Sequence, residues 1–198
     1  MVVIMNINEP NLSSLSQGVE NSGPPPAGIT PRPGQIVCGD IDMRIDASCT
    51  WFYQGSPFTR KALVKLFSTV LRRDDDGEHW LITPAEMCRI TVDDAPFMAV
   101  ELICNGKGQD QAISFRTNVD TIASLDGDHP LRMIIDDNTG EPSPYISLEH
   151  RLEAKLSRPV FYELVDLGVD EVIEGDQIYG VWSNGDFFTI GNSTDTDN

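Results

Sequence analysis

Short apolar segments bounded by turn residues make the body of this chain strand-rich. "IDMRI" (41–45) and "TWFYQ" (50–54) predict a hairpin. "HWLIT" (79–83), "CRITV" (88–92), "FMAVELIC" (97–104), "AISFRTN" (112–118), "LRMII" (131–135) and "YISLE" (145–149) predict further strands. "IYGVW" (178–182) and "FFTI" (187–190), joined by "SNGD", predict a closing hairpin. The period changes to 3.6 in two places. "SPFTRKALVKLF" (56–67) predicts a helix capped by Ser56 with Pro57 at its first position. "SRPVFYELVDLG" (157–168) predicts a second, capped by Ser157 and ended by Gly168. "TPAE" (83–86) has capping-box spacing and predicts one helical turn. "NGKG" (105–108) lacks the spacing of a phosphate-binding loop and reads as a turn, as does "DDDG" (74–77).

The two helices overlay at one offset: Ser56 on Ser157, Leu63 on Leu164, Val64 on Val165, Leu66 on Leu167. An acidic Gly turn and an aromatic strand follow each. The pattern predicts an α+β fold with a duplicated strand–strand–helix–strand–strand core in two domains. The boundaries are a flexible or extended arm over 1–35, rich in Ser, Asn, Gly and Pro, a first domain over 36–92, a second, larger one over 93–191, and a disordered tail over 192–198.

Composition narrows the partners. The 198 residues carry a formal net charge of -17, which opposes binding to nucleic acid or to an anionic membrane. "MVVIMNINEP" has no basic start and a short apolar run, and predicts neither signal peptide nor span, hence a cytoplasmic protein. Cys38, Cys49, Cys88 and Cys104 form no C-x-x-C pair and have no histidine at ligand spacing. They read as buried thiols, with no metal and no cofactor expected. G-x-S-x-G, H-E-x-x-H and G-x-G-x-x-G are absent, and no catalytic constellation emerges.

The candidate chemistry centres on Arg60. At helical spacing it falls on the side of Leu63, Val64 and Phe67. A guanidinium keeps its charge, so burial there demands a partner. That partner is an internal acid (Asp93, Asp94, Asp40 or Asp42) or a ligand anion seated on the helix start. A third arrangement packs the arginine's stem and leaves its head in water. Arg116 ends a strand beside Thr117 and Asn118, and Trp51 or Tyr145 could cover a base.

"CGDIDMRI", "WFYQGSP", "RKALVKLFSTVLRR", "LITPAE", "VDDAPF", "FRTN", "HPLR" and "PYISLEHRLEAKLSRPVFYELV" together resemble the bacterial domain-of-unknown-function family 1285, from Cys38 to Phe188. The resemblance implies a duplicated α+β core whose second domain is similar to a pleckstrin-homology-like barrel. It also implies a nucleotide-like ligand bound at the domain interface in signal transduction. Carried over, the interface residues are Arg60, Thr83, Glu86, Asp93, Arg116, Tyr145 and Arg158. The expected function is a sensor of a small phosphorylated or nucleotide-like molecule that relays occupancy to a protein partner. The alternatives are a protein-interaction module without a small ligand, and a phosphohydrolase using Glu86 or Asp93.

Overall fold

The computed structural model describes residues 23–192. The chain divides into two compact units that meet between Asp94 and Ala95. It is an α+β protein of two units, mostly strand, with two α-helices among the described residues. No helix of these is long and apolar enough to cross a membrane.

The first unit runs β1 (Ile36–Ile45), β2 (Trp51–Tyr53), β3 (Ser56–Pro57), α1 (Lys61–Ser68), β4 (Leu71–Arg73), β5 (His79–Ile82) and β6 (Glu86–Val92). They form one sheet in the order β3-β2-β1-β6-β5-β4. β1 and β6 pair in parallel, and every other neighbour is antiparallel. Antiparallel neighbours close with short turns, whereas a parallel pair needs a long crossover. Here the crossover is everything from β2 to β5, α1 included. Met43, Ile45, Trp51, Phe67, Leu71 and Leu81 are buried. Phe67 anchors α1, its ring stacked on Trp51 at 6.4 Å and tilted against Phe58 at 5.9 Å. Burying one such side chain stabilises by about 1.5–3 kcal/mol.

The second unit runs β7 (Phe97–Asn105), β8 (Ala112–Thr117), β9 (Ile122–Ser124), β10 (Leu131–Ile135), β11 (Pro142–Ser147), β12 (Glu153–Leu156), α2 (Arg158–Asp166), β13 (Val169–Ile173), β14 (Asp176–Ser183) and β15 (Asp186–Asn192). Its larger sheet is ordered β10-β11-β12-β7-β8-β9, with β12 and β7 parallel. Numbered from its own first strand, this is the order of the first sheet. A second sheet, β13-β14-β15, completes the unit. Asn184 and Gly185 both have positive φ (51° and 87°) in the two-residue turn before β15, as a type I′ hairpin requires.

Several expectations change. Ser56 and Pro57 do not start a helix: they pair with Tyr53 and Phe52 as β3. The helix begins at Lys61 with Arg60 as N-cap. "TPAE" makes no helical turn. Thr83 Oγ1 does accept the Glu86 N–H (3.0 Å), as in a capping box, but inside the tight turn joining β5 to β6. The helices also hold unlike places, α1 between the third and fourth strands of its sheet and α2 after the sixth. Gly168 does not end α2 through positive φ; a Cβ there would lie 2.4 Å from the Tyr179 ring. The arm is not loose from Gly23 onward: Pro26 is buried, and Ile29 packs on the cluster of Val37, Trp80 and Met87. Residues 1–22 of the expected arm and 193–198 of the expected tail lie outside the described residues.

Ser183 fastens β14 to β8 at full burial. Its Oγ accepts the Ile113 N–H (3.0 Å) and donates to the Leu125 carbonyl (2.7 Å). Ser183→Ala leaves the Ile113 N–H without its acceptor and should destabilise by about 1–3 kcal/mol, read from the urea midpoint at unchanged slope.

Candidate functional site

A concavity with a volume of about 290 Å³ lies in the first unit. Two segments that seemed unrelated in sequence frame it: the proline-rich stretch Gly23–Ala27 and the acidic turn after β4. The walls include Asp40, Asp74, Asp76, Glu78, Trp80 and Arg89, with Cys38 also on the lining.

Each wall residue is placed by the sheet. Asp40 and Arg89 are register partners across the parallel β1–β6 pair. Arg89 binds Asp40 through two hydrogen bonds, Nη2 to Oδ2 at 2.8 Å, and its Cζ lies 5.8 Å from the Trp80 ring centre. The guanidinium holds the Asp40 carboxyl below the usual carboxylate range. Asp74 is the organising acid. It is 4% exposed, and its Oδ1 accepts the N–H groups of Asp76 (3.0 Å) and Glu78 (2.8 Å). Its Oδ2 accepts the Trp80 indole N–H (2.9 Å) and the Ala27 N–H (3.2 Å). One carboxylate thus shapes the turn, orients the indole and fastens the arm. Burial pushes its pKa up, but the donors of Glu78, Trp80, Ala27 and Asp76 outweigh this and hold it below the ordinary value. Four carboxylates face one guanidinium, so the cavity suits a cation or a ligand rich in hydrogen-bond donors.

None of the residues expected from sequence lines this cavity. Arg60 is exposed, because the helix starts one residue later and its side chain leaves the apolar stripe. Two of the acids considered as its partners are engaged elsewhere: Asp93 with Arg44 and Asp40 with Arg89. Trp51 is a core residue, 2% exposed, with an indole N–H that makes no hydrogen bond among the described residues. Thr83 is buried in its turn, where its carbonyl accepts from Gln35 Nε2. Glu86 is buried beside Cys38 and Cys88. In the second unit Arg116 binds Glu101 (2.5 Å) and Asp120 (3.1 Å). Tyr145 is buried under Arg132, 4.6 Å from its ring centre, and Lys155, at 5.7 Å. Arg158 binds Glu141 at 2.8 Å. The cavity residues escaped sequence reading because "DDDG" read as a turn and "GPPPAG" as an arm; the signal was that an acidic turn heads a strand bearing a tryptophan.

Comparison with known proteins gives the following likenesses. The model described as "Domain of unknown function (DUF1285), N-terminal domain" matches residues 32–95, and "Protein of unknown function (DUF1285), C-terminal domain" matches residues 96–190. A crystal structure of a DUF1285 family protein from Silicibacter pomeroyi DSS-3 is similar with a TM-score of 0.78 at 40% identity, covering 95% of this chain and 98% of that one. Another, from Shewanella baltica OS155, has a TM-score of 0.50 at 29% identity, covering 63% of this chain and 91% of that one. No curated protein matches the chain.

Because the Asp74 pKa is lower folded than unfolded (about 3.9), its contribution is present above the unfolded value and is lost as pH falls through the folded one. Asp74→Ala should cost about 1.5–3 kcal/mol at pH 7, and the gap to wild type should narrow below about pH 4, measured by urea denaturation across pH.

Proposed function

We propose, from the premise that this chain belongs to the DUF1285 family, that it is a small-molecule-binding protein with a sensing role, its ligand seated in the acidic cavity of the first unit. The observation that carries this reading is the cavity wall: Asp40, Asp74, Asp76 and Glu78 against Arg89. Asp74 is saturated by four donors and Asp40 is hydrogen-bonded to Arg89, so the groups placed to meet a ligand are Asp76 and Glu78, the latter in a long 3.9 Å ion pair with Arg89. Such a wall favours an organic cation, an amine or guanidinium compound, since unlike charges at contact attract and a phosphate would meet repulsion. The Trp80 ring, already bearing the Arg89 guanidinium, adds a flat surface suited to cations.

A second reading keeps the nucleotide-like or phosphorylated ligand, sensed in signal transduction. What favours it is Arg60, exposed at the head of α1, where first-turn N–H groups lack helical acceptors. We also read the chain as an internal duplication, β1–β6 repeated as β7–β12, because the two strand orders coincide. In this reading α2 and the β13-β14-β15 sheet elaborate the second copy toward a pleckstrin-homology-like shape.

A thermal-shift screen separates the readings. Diamines and guanidinium compounds should stabilise the wild type, by about 2.7 kcal/mol at a hundred times the dissociation constant, and should fail to stabilise Asp76→Asn/Glu78→Gln. Stabilisation by nucleotides that Arg60→Ala removes would favour the second reading instead. If neither class shifts the wild type, the binding reading falls.

A further inference from the structure

Behind the cavity wall lies a cluster that the proposed ligand does not use. Cys38 on β1 and Glu86 and Cys88 on β6 place two sulfurs and a carboxylate oxygen within 4.8 Å of one another. Their exposures are 2%, 7% and 0%. Glu86 and Cys88 are two apart on one strand, so both side chains emerge on the same face. The parallel ladder pairs Val37 with Met87 and then Gly39 with Cys88, slipping by one residue at Cys38. The register before the slip, Ile36 with Glu86 and Val37 with Met87, already brings Cys38 level with Cys88 on the face that carries Glu86. Gly39, next along, has φ of 70°, a value that glycine adopts without strain.

We propose that Cys38, Cys88 and Glu86 form a binding site for a thiophilic divalent metal, with zinc the fitting ion. The ligand set decides the class. Thiolates select soft and borderline metals over calcium or magnesium, and a carboxylate completes sets that zinc accepts. The mutual spacing suits three corners of one tetrahedron. Metal–sulfur and metal–oxygen bonds near 2.3 and 2.0–2.2 Å bring ligand atoms to separations on the order of 3.5–4 Å, within the spacing found. The fourth corner belongs to water, because Cys38 also borders the acidic cavity. That cavity's carboxylates raise the local concentration of cations at the entrance. On binding, the metal displaces one proton from each thiol to solvent and takes both sulfurs as thiolates; nothing is oxidised or reduced.

The competing roles for two close cysteines fit less well. A nucleophilic or peroxide-sensing thiol needs exposure and a lowered pKa. Cys38 and Cys88 are both buried, at 2% and 0% exposure, and do not meet that requirement. A metal ion can still draw out the thiolate that a solution oxidant would not find.

The test uses the full-length protein, reduced and stripped with chelator, then given Co²⁺ or Zn²⁺ alone. Wild type should take up one ion per chain, show near-UV thiolate-to-cobalt charge transfer with tetrahedral visible bands, and gain Tm as zinc rises. Cys88→Ser should lose the charge-transfer band, and Glu86→Gln should bind about 10-fold or more weakly. Cys104→Ser, half-buried and outside the cluster, should match wild type. Should Cys88→Ser fail to fold, the intensity of the wild-type band still reports the number of thiolates per metal, and fewer than two overturns the site. No uptake by wild type, or a Cys38–Cys88 disulfide formed in place of uptake, also overturns it. Failure of the amine screen leaves these readouts unaffected, since they require no organic ligand.

Discussion

The parallel pairing of β1 with β6 is the constraint on which the first unit depends. Two strands some 50 residues apart in sequence must meet in one register, and three kinds of contact follow from it. Arg89 reaches Asp40, its partner across the pair. Arg44 reaches Asp93 at the far end, lowering the carboxyl's pKa through their hydrogen bonds. Cys38 reaches Cys88 where the register slips. The two ion pairs are exposed enough to contribute little stability each, but they fit one register and penalise its neighbours. A slip of one residue would turn Asp40 from Arg89 and send the buried set of β6 to the wrong face.

The same constraint recurs in the second unit, where β7 and β12 pair Phe97 with Ala154 and Ala99 with Leu156. A central parallel pair obliges each sheet to be built from the middle outward, with one hairpin arm growing on each side. The helix is free of that obligation. It fills the crossover in the first unit and closes the last strand in the second. A fold repeated through its sheet can therefore carry helices in different places, and an alignment anchored on the helices matches the wrong parts.

Legibility in the sequence followed the range of the interaction. β8 reads as strict alternation, and the structure alternates half-buried and buried positions from Ala112 to Thr117. The Ser157 start of α2 and the Asn184-Gly185 turn are local chemistry and were readable. Ser56-Pro57 was readable too, but as two things. It has the chemistry of a helix start, and it lies within hairpin reach of Tyr53, whose pairing wins. The helix then begins at Lys61, and Arg60 passes from a buried stripe to solvent. That shift removes the electrostatic argument that made Arg60 the leading candidate. The thiol cluster had no local signature, since neither cysteine has the other within a motif's length.

The excess of acid has a structural cause that bears on function. Asp46, Asp74, Asp126 and Asp136 each head a turn, and each uses Oδ1 to accept N–H groups two to four residues ahead. All four have pKa values below the ordinary carboxylate range, the donors of their own turns being a cause in each case. An aspartate spent in this way commits Oδ1 to its own turn, so its charge is in part a by-product of turn chemistry. A large net negative charge in a hairpin-rich chain is then weak support for an acidic docking face. Asp76 and Glu78 differ: they follow such an aspartate and give it their N–H groups, while their carboxylates stand at the cavity wall, Glu78 at 3.9 Å from Arg89. A turn-forming charge is recognised by where its oxygens go, and by that criterion Asp76 and Glu78 stand apart from Asp74 at the same wall.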